Sequence, residues 1–285
     1  MFRPRLAPST IFSSLLLICL SLTGGCGKGT ESGTAPATPP AQSQPALPVA
    51  QDNLNVAAAA DLRFALEDVV GKFRQAHPEI NANVTYGSSG NFYSQISNHA
   101  PFDLFLSADI SYVKRLADQG LVEKDSEFQY AVGRIVLWAP NGSPFDPARR
   151  KMKALLDPAL KTIAIGNPEH APYGRAAEAA LKTYKLWEKL EPKLVKGQDI
   201  AQAAQFVQSG SADVGIIALS LALSPGMKDS GTYFLIPLED YPPLIQAGEV
   251  LSYAKDAPAA KTFREFMLSE PGKAILKQYG FALPK

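Results

Sequence analysis

The segment NVTYGSSGNFYSQI (residues 83–96) contains the transition on which the fold is built. After Asn83 come two β-branched residues and a tyrosine (84–86), which is typical of a strand. Apolar side chains then return at helical spacing with Phe92 and Ile96. Two glycines and two serines (87–90) separate the strand from the helix. Two interpretations are open: a turn with a serine N-cap, or an anion-binding loop whose amides and hydroxyls lie at the positive end of the helix.

The same strand-to-helix order occurs on both sides of this segment. LNVAAAAD (54–61) predicts a strand ending in small residues, and the apolar spacing after it predicts a helix over 62–75. FDLFLSAD (102–109) predicts the next strand, followed by another helix. Because this alternation predicts parallel strands with a ligand site at their carboxyl ends, the loops 57–61 and 87–90 are expected to lie close together. Small side chains there would let backbone amides approach a ligand.

A second unit of the same kind is predicted to begin at RIVLWAP (134–140). It continues with a strand, a Pro/Gly loop and a helix from about Gly174, and then with a further helix and a buried strand. A strand is expected at EVLSYAK (249–255), and the closing helices are expected to return to the first unit. We therefore predict two α/β lobes, one formed by residues 53–133 plus 240–285 and the other by residues 134–239.

The first residues are predicted to be an export signal. Arg3 and Arg5 precede an apolar run (11–22) that is too short to span a bilayer, and LTGGC follows it. The pattern resembles a bacterial lipoprotein signal, with residues 1–25 removed and Cys26 becoming the lipidated N-terminus. Residues 26–52 are rich in Pro, Ala, Ser and Thr and predict a flexible tether. The mature protein is expected to be exported, periplasmic and anchored to a membrane by lipid.

Composition and motifs exclude several classes of function. The net charge of +1 gives no electrostatic basis for binding nucleic acid. After signal cleavage Cys26 is the only cysteine, which excludes an internal disulfide and a catalytic cysteine. The G-x-S-x-G motif of a hydrolase is broken by Asn91, and no H-E-x-x-H motif occurs. We predict a binding protein without a cofactor rather than an enzyme; an exported hydrolase that uses Ser88 or Ser89 is the alternative from a different class.

Taken together, several segments resemble the periplasmic molybdate-binding proteins of ABC transporters. The resemblance covers residues 54–282, and the segments that carry it are, in order, VAAAADLRFALED, YGSSGNFYSQI, APFDLFLSAD, AIGNPEHAPYGRAAEAAL, ADVGII and YGF. The resemblance implies a type II-like fold of two lobes, each a mostly parallel sheet flanked by helices. It implies that the protein captures molybdate, and tungstate too, between the lobes as a monomer and delivers it to an inner-membrane permease and its ATPase. Molybdenum would be bound as the oxyanion, with no direct protein ligand on the metal.

The resemblance also places ligand-binding groups on this chain. The second of the family's paired serines corresponds to Ser89, with Ser88 beside it. Two of the family's ligand-binding backbone amides correspond to those of Tyr173 and Ile200.

Two positions depart from the family pattern. Asp61 stands where many relatives have serine, and Ala218 stands where many have a tyrosine hydroxyl, with Ser220 close by. The resulting set of predicted ligand-binding residues is Ala60, Asp61, Ser88, Ser89, Tyr173, Ile200 and Ser220.

Asp61 is the unusual member of this set. A carboxylate facing a dianion in a dry site would be strongly repelled, so we expect Asp61 to cap its own helix and to offer only its backbone N–H. The alternative is a carboxylate that completes a higher coordination number around the metal. A site made of donors alone would reject phosphate, since it could not accept the remaining P–OH proton. Another oxyanion, such as sulfate, phosphate or a small carboxylate, is the alternative ligand.

Overall fold

The computed structural model describes residues 52–284, so the predicted signal peptide, Cys26 and the tether up to residue 51 lie outside the described residues. The described chain contains ten strands. In chain order they are β1 (Asp52–Ala59), β2 (Ile80–Gly87), β3 (Leu104–Ser107), β4 (Phe128–Gly133), β5 (Ile135–Pro140), β6 (Ile163–Gly166), β7 (Leu194–Gly197), β8 (Val214–Ala218), β9 (Gly231–Leu235) and β10 (Leu244–Val250).

Ten α-helices and four short 3-10 helices occur in the same residues. The α-helices are α1 (Arg63–Ala76), α2 (Ser89–Ser97), α3 (Ile110–Asp118), α4 (Pro147–Arg150), α5 (Pro172–Thr183), α6 (Trp187–Leu190), α7 (Ile200–Gln208), α8 (Leu219–Ala222), α9 (Ala257–Leu268) and α10 (Glu270–Gln278). The 3-10 helices are Ala60–Leu62, Lys151–Leu156, Glu191–Lys193 and Leu238–Asp240.

The strands form two five-stranded sheets with matching topology. The first has the order β2-β1-β3-β10-β4 and the second the order β7-β6-β8-β5-β9. In each sheet the fourth strand of this order, β10 or β5, runs antiparallel to both of its neighbours. We call the first sheet with α1–α3, α9 and α10 lobe I, and the second sheet with α4–α8 lobe II. The predicted two-lobe α/β fold with helix-flanked sheets is confirmed. Each sheet is mixed rather than mostly parallel, with two parallel and two antiparallel strand pairs.

The antiparallel strands are those that the chain enters directly from the other lobe. It leaves lobe I after β4 and enters β5 through Arg134, and it returns from β9 to β10 through residues 236–243. The predicted strand at 249–255 is therefore wrong in its position, because β10 is Leu244–Val250. Gly248 lies within this strand, where a Cβ would be only 2.6 Å from the ring of Phe128, so the packing leaves no room for a side chain.

Each lobe has an apolar core on both faces of its sheet. In lobe I the closing helices α9 and α10 pack against α1, with the Phe263 and Phe73 rings edge to face at 4.9 Å. On the other face, Phe92 of α2 lies against Phe102 and Phe105. In lobe I these cores hold β1 and β2 in place, and the loops predicted to bind a ligand (57–61 and 87–90) lie at the carboxyl ends of these two strands.

Candidate anion-binding site

A small cavity lies where the carboxyl ends of strands from the two lobes face each other. Its volume is about 10 Å³, far below the roughly 300–1,000 Å³ of sites for drug-sized organic molecules. Six of the seven predicted site residues line it: Ala60, Asp61, Ser88, Ser89, Tyr173 and Ile200. The fold therefore brings together residues that lie up to 140 positions apart in the chain, around one small cavity.

Three helices of the two lobes begin at this cavity. Ser89 and Ile200 are the first residues of α2 and α7, and Tyr173 is the second residue of α5. The first amides of a helix have no intrahelical acceptor, and the helix dipole makes this end positive. No Lys or Arg is among the described residues that line the cavity. The positive potential of the site thus comes from backbone amides, which suits an anion.

The two serines after β2 have different roles. Ser88 is the N-cap of α2, and its Oγ accepts a hydrogen bond of 3.3 Å from the amide of Asn91. Ser89 is fully buried, and its Oγ accepts a hydrogen bond of 3.0 Å from the amide of Ala108. Because that oxygen accepts, the hydroxyl hydrogen of Ser89 is available to donate to a ligand. The N-cap and anion-binding interpretations of the segment are therefore compatible.

The carboxylate of Asp61 does not cap a helix, so that prediction is wrong. Neither the 3-10 helix Ala60–Leu62 nor α1 has a side-chain cap. Instead, Oδ2 of Asp61 accepts hydrogen bonds from the hydroxyl of Tyr173 at 2.9 Å and from Nε2 of Gln246 at 2.6 Å. The side chain turns away from the helix start because two buried donors from other elements, the Tyr173 hydroxyl and the Gln246 amide, converge on this oxygen.

The other carboxylate oxygen, Oδ1, is buried and has no hydrogen-bond partner among the described residues. Asp61 is 1% exposed, and burial raises its pKa to about 6 although the bonds from Gln246 and Tyr173 oppose the shift. Burial and the charge of Asp61 also raise the pKa of Tyr173 well above its ordinary value, which keeps its phenol protonated as a donor. The expectation of a donor-only site is wrong, because a carboxylate forms part of the wall.

Ser220 lies behind the wall of the cavity rather than in it. Its Oγ donates a hydrogen bond of 2.7 Å to the backbone carbonyl of Asp61. It belongs to α8, which begins directly after Ala218 at the end of β8. Ser220 thus stabilises the turn that carries Asp61, and it does not line the cavity.

Comparison with known proteins agrees with this geometry. The chain matches the family of bacterial extracellular solute-binding proteins over residues 54–282. The chain belongs to this family. Among its relatives, the molybdate-binding protein ModA of Rhodobacter capsulatus is 36% identical over 83% of this chain and 90% of the relative. The predicted family relationship and the prediction that the protein is not an enzyme are both confirmed.

Solved structures of solute-binding proteins show the same fold. The periplasmic molybdate-binding protein of Azotobacter vinelandii is 31% identical, with a TM-score of 0.76 over 81% of this chain and 100% of that protein. The sulfate-binding protein SubI of Mycobacterium tuberculosis superimposes with a TM-score of 0.67 over 82% of this chain and 87% of its own, at 17% identity. The latter similarity shows the fold alone.

One residue of this solute-binding protein was missed by sequence reasoning. Gln246 is fully buried in β10 and donates through Nε2 to Asp61 and, at 3.0 Å, to the hydroxyl of Tyr173. The sequence did contain an indication of its role, a single glutamine within the otherwise apolar stretch LIQAG. A polar side chain buried in a strand needs a hydrogen-bond partner, so this glutamine could have been predicted to bind another polar group. The pairing of β10 with β4 shifts register between Gln246 and Ala247.

The two lobes of the solute-binding protein also contact each other outside the cavity. The amide of Gly90 donates to the carbonyl of His170 at 3.0 Å. Arg175 of lobe II forms an ion pair of 2.6 Å with Asp109 of lobe I and donates to the hydroxyl of Tyr112 at 3.0 Å. The ion pair is partly exposed, so it stabilises the contact by about 1 kcal/mol or less. The lobes are closed on each other.

The surroundings of the serines do not resemble a hydrolase site. Within residues 52–284, neither Ser88 nor Ser89 hydrogen-bonds to a histidine, and the nearby His170 ring contacts the carbonyl of Gln198 at 2.9 Å instead. In the same described range, no cluster of His, Cys, Asp and Glu could hold a metal ion.

No helix between residues 52 and 284 has the length and apolar character needed to cross a bilayer.

Proposed function

We propose that this protein is the extracytoplasmic substrate-binding component of an ABC importer, and that it captures molybdate between its lobes. Tungstate, an oxyanion of the same shape and charge, is proposed as a second ligand. The observation that carries the proposal is the convergence of three helix N-termini, those of α2, α5 and α7, on one small cavity between the lobes, with the buried hydroxyl of Ser89 in its wall. Relatives that are 36% identical are named molybdate-binding proteins.

Binding and delivery follow from the two-lobe architecture. The anion would enter between separated lobes, and closure would then bring the amides of α5 and α7 from lobe II against those of lobe I. Water is excluded at closure, so each hydrogen bond to the anion acts in a low dielectric and is strengthened. The closed form would be the one that an inner-membrane permease and its ATPase receive. We further propose that the protein acts as a monomer, tethered to a membrane through lipid on Cys26.

Selectivity is proposed to depend on size. Sulfate is smaller than molybdate, so in a cavity formed by rigid helix ends it could not reach all the donors at once. Six residues from four elements would supply those donors: Ala60, Asp61, Ser88, Ser89, Tyr173 and Ile200.

The test is a thermal-denaturation titration with molybdate, tungstate, sulfate, phosphate and a dicarboxylate. A ligand at 100 times its dissociation constant should stabilise the protein by about 2.7 kcal/mol. We expect a large rise in Tm with molybdate and tungstate and little change with the others. A rise in Tm with sulfate or phosphate, and none with molybdate, would contradict molybdate as the ligand. The protein would then still be a receptor for an oxyanion.

Replacing Ser89 with alanine tests the proposed role of its hydroxyl. The variant loses a hydrogen bond to a charged group, which is worth about 1.5–3 kcal/mol, so we expect the Kd for molybdate to rise roughly 10- to 150-fold. The measurement is isothermal titration calorimetry. Ser94→Ala is the matched control, because Ser94 lies on the same helix with its hydroxyl bonded to the carbonyl of Gly90, outside the cavity. An unchanged Kd in Ser89→Ala would remove Ser89 from the site.

A further inference from the structure

We propose that the site takes up one proton with each oxyanion and holds it between Oδ1 of Asp61 and an oxygen of the anion. This inference rests on the proposed function and deepens it. Asp61 becomes the residue that couples affinity to pH, and the anion is bound either to a protonated Asp61 or in its own monoprotonated form. Both descriptions contain the same atoms and the same single proton, which comes from solvent.

The geometry around Asp61 creates the need for this proton. Its carboxyl group lies in the wall of the cavity and is 1% exposed. Oδ2 is occupied by two donors, whereas Oδ1 has no partner among the described residues. A buried acceptor without a donor is costly. An anion in the cavity cannot supply that donor unless a proton lies between the two oxygens.

No cationic side chain is among the groups that shift the pKa of Asp61; only hydrogen-bond donors oppose the effect of its burial. The titratable groups that face it are Tyr173 on α5, Tyr130 on β4 and Asp199 at the start of α7; the amide of Gln246 on β10 and the hydroxyl of Ser220 on α8 are neutral. None of these is a cation, and Asp199 adds a further negative charge. A dianion beside an ionised Asp61 would place three negative charges in a cavity of about 10 Å³, where the low dielectric makes their repulsion severe.

The direction of the pH dependence follows from the state of the free site. Burial raises the pKa of Asp61 to about 6, so at pH 7 to 9 the carboxyl group is mostly ionised before binding. The anion favours the protonated form, which raises the pKa further in the complex. Affinity should therefore be highest below about pH 6 and fall about tenfold for each pH unit above it, because one proton is taken up. Between pH 7 and pH 9 the Kd should rise about 100-fold.

Calorimetry of the wild-type protein measures this proton directly. Molybdate is titrated at pH 8 in two buffers with different ionisation enthalpies, and the difference in observed heat gives the number of protons taken up. We expect close to one proton per anion. Binding of molybdate with no proton uptake and the same Kd at pH 7 and pH 9 would overturn this inference and leave the proposed function intact. Absence of binding at every pH would instead contradict the proposed function.

Asp61→Asn supplies the sharpest variant. Asparagine can accept from Tyr173 and Gln246 through its carbonyl oxygen and present an N–H to the anion, as a protonated Asp61 would, but it does not titrate. We expect this variant to take up no proton and to show the same Kd at pH 7 and pH 9. The matched control is Asp256→Asn, which lies outside the cavity, retains a good N-cap residue for α9 and should keep the wild-type slope. A slope that survives in Asp61→Asn would refute the assignment to Asp61.

Discussion

Replacing Gly90 with alanine is expected to weaken ligand binding by about 10- to 100-fold without unfolding either lobe. A Cβ at this position would lie 2.6 Å from the carbonyl oxygen of His170 and 2.7 Å from the hydroxyl of Tyr112. The first of these atoms belongs to lobe II, so the added methyl group would hold the lobes apart where closure needs contact. Overpacking of this kind costs about 1–3 kcal/mol, and a change of about 1.4 kcal/mol is tenfold in Kd.

The same substitution should not lower the stability of the ligand-free protein. Gly90 lies in α2, where alanine is favoured over glycine by about 1 kcal/mol. Once the lobes separate, this gain offsets the displacement of the Tyr112 hydroxyl of lobe I, which lies at the far end of its side chain. The measurements are the Kd for molybdate and the Tm without ligand. Gly71→Ala is the matched control, since Gly71 lies in α1 with no atom within 4 Å of an added Cβ. A Gly90→Ala variant that binds like wild type would show that closure does not require this contact.

Replacing Phe263 with alanine is expected to give the largest loss of stability among simple substitutions in lobe I. Its ring is fully buried and lies edge to face against Phe73, which also contacts Phe266. Removing a buried phenyl ring typically costs about 3–5 kcal/mol because it leaves a cavity, and in a domain of this size that lowers Tm by about 10 °C. The measurement is thermal or urea denaturation without ligand.

Two comparisons make the Phe263 prediction specific. Leu156→Ala is the control, because Leu156 is 45% exposed and surface substitutions usually change stability by about 0.5 kcal/mol or less. Phe263 does not line the cavity, so the Kd of the folded Phe263→Ala protein should equal that of wild type. A loss of less than about 1 kcal/mol would mean that α9 contributes little to the lobe I core.

Local sequence patterns were sufficient for the elements that border the site. The β-branched residues of 83–86 and the spacing of Phe92 and Ile96 correctly predicted β2 and α2, because period-2 and 3.6-residue patterns report which face of an element is buried. The alanine run before Asp61 was predicted to let backbone amides approach a ligand, and the structure adds a packing role for it. Ala59 and Ala60 of lobe I are buried in the apolar cluster of lobe II. Larger side chains at these two positions would keep the two lobes apart.

Propensity was misleading where packing required an exception. The strand predicted at residues 249–255 lies instead at Leu244–Val250, and Gly248 falls inside it at a point where the ring of Phe128 fills the space of a side chain. Asp61 precedes a helix and is a favoured N-cap residue, yet its side chain bonds to Tyr173 and Gln246. In both cases the deciding partner is distant in the sequence, and a local pattern contains no information about it.

The sequence by itself determined the order of strands and helices, the glycine and serine loop after β2, and the resemblance to a family of binding proteins. These features depend on neighbours within a few residues or on segments whose order can be compared directly. Only the tertiary structure decided that Asp61 shares a buried hydrogen-bond network with residues 112 and 185 positions away, and that Arg175 joins the lobes through Asp109. Such contacts arise when two separately folded sheets close on each other, so their energy depends on distances between lobes that no stretch of sequence encodes alone.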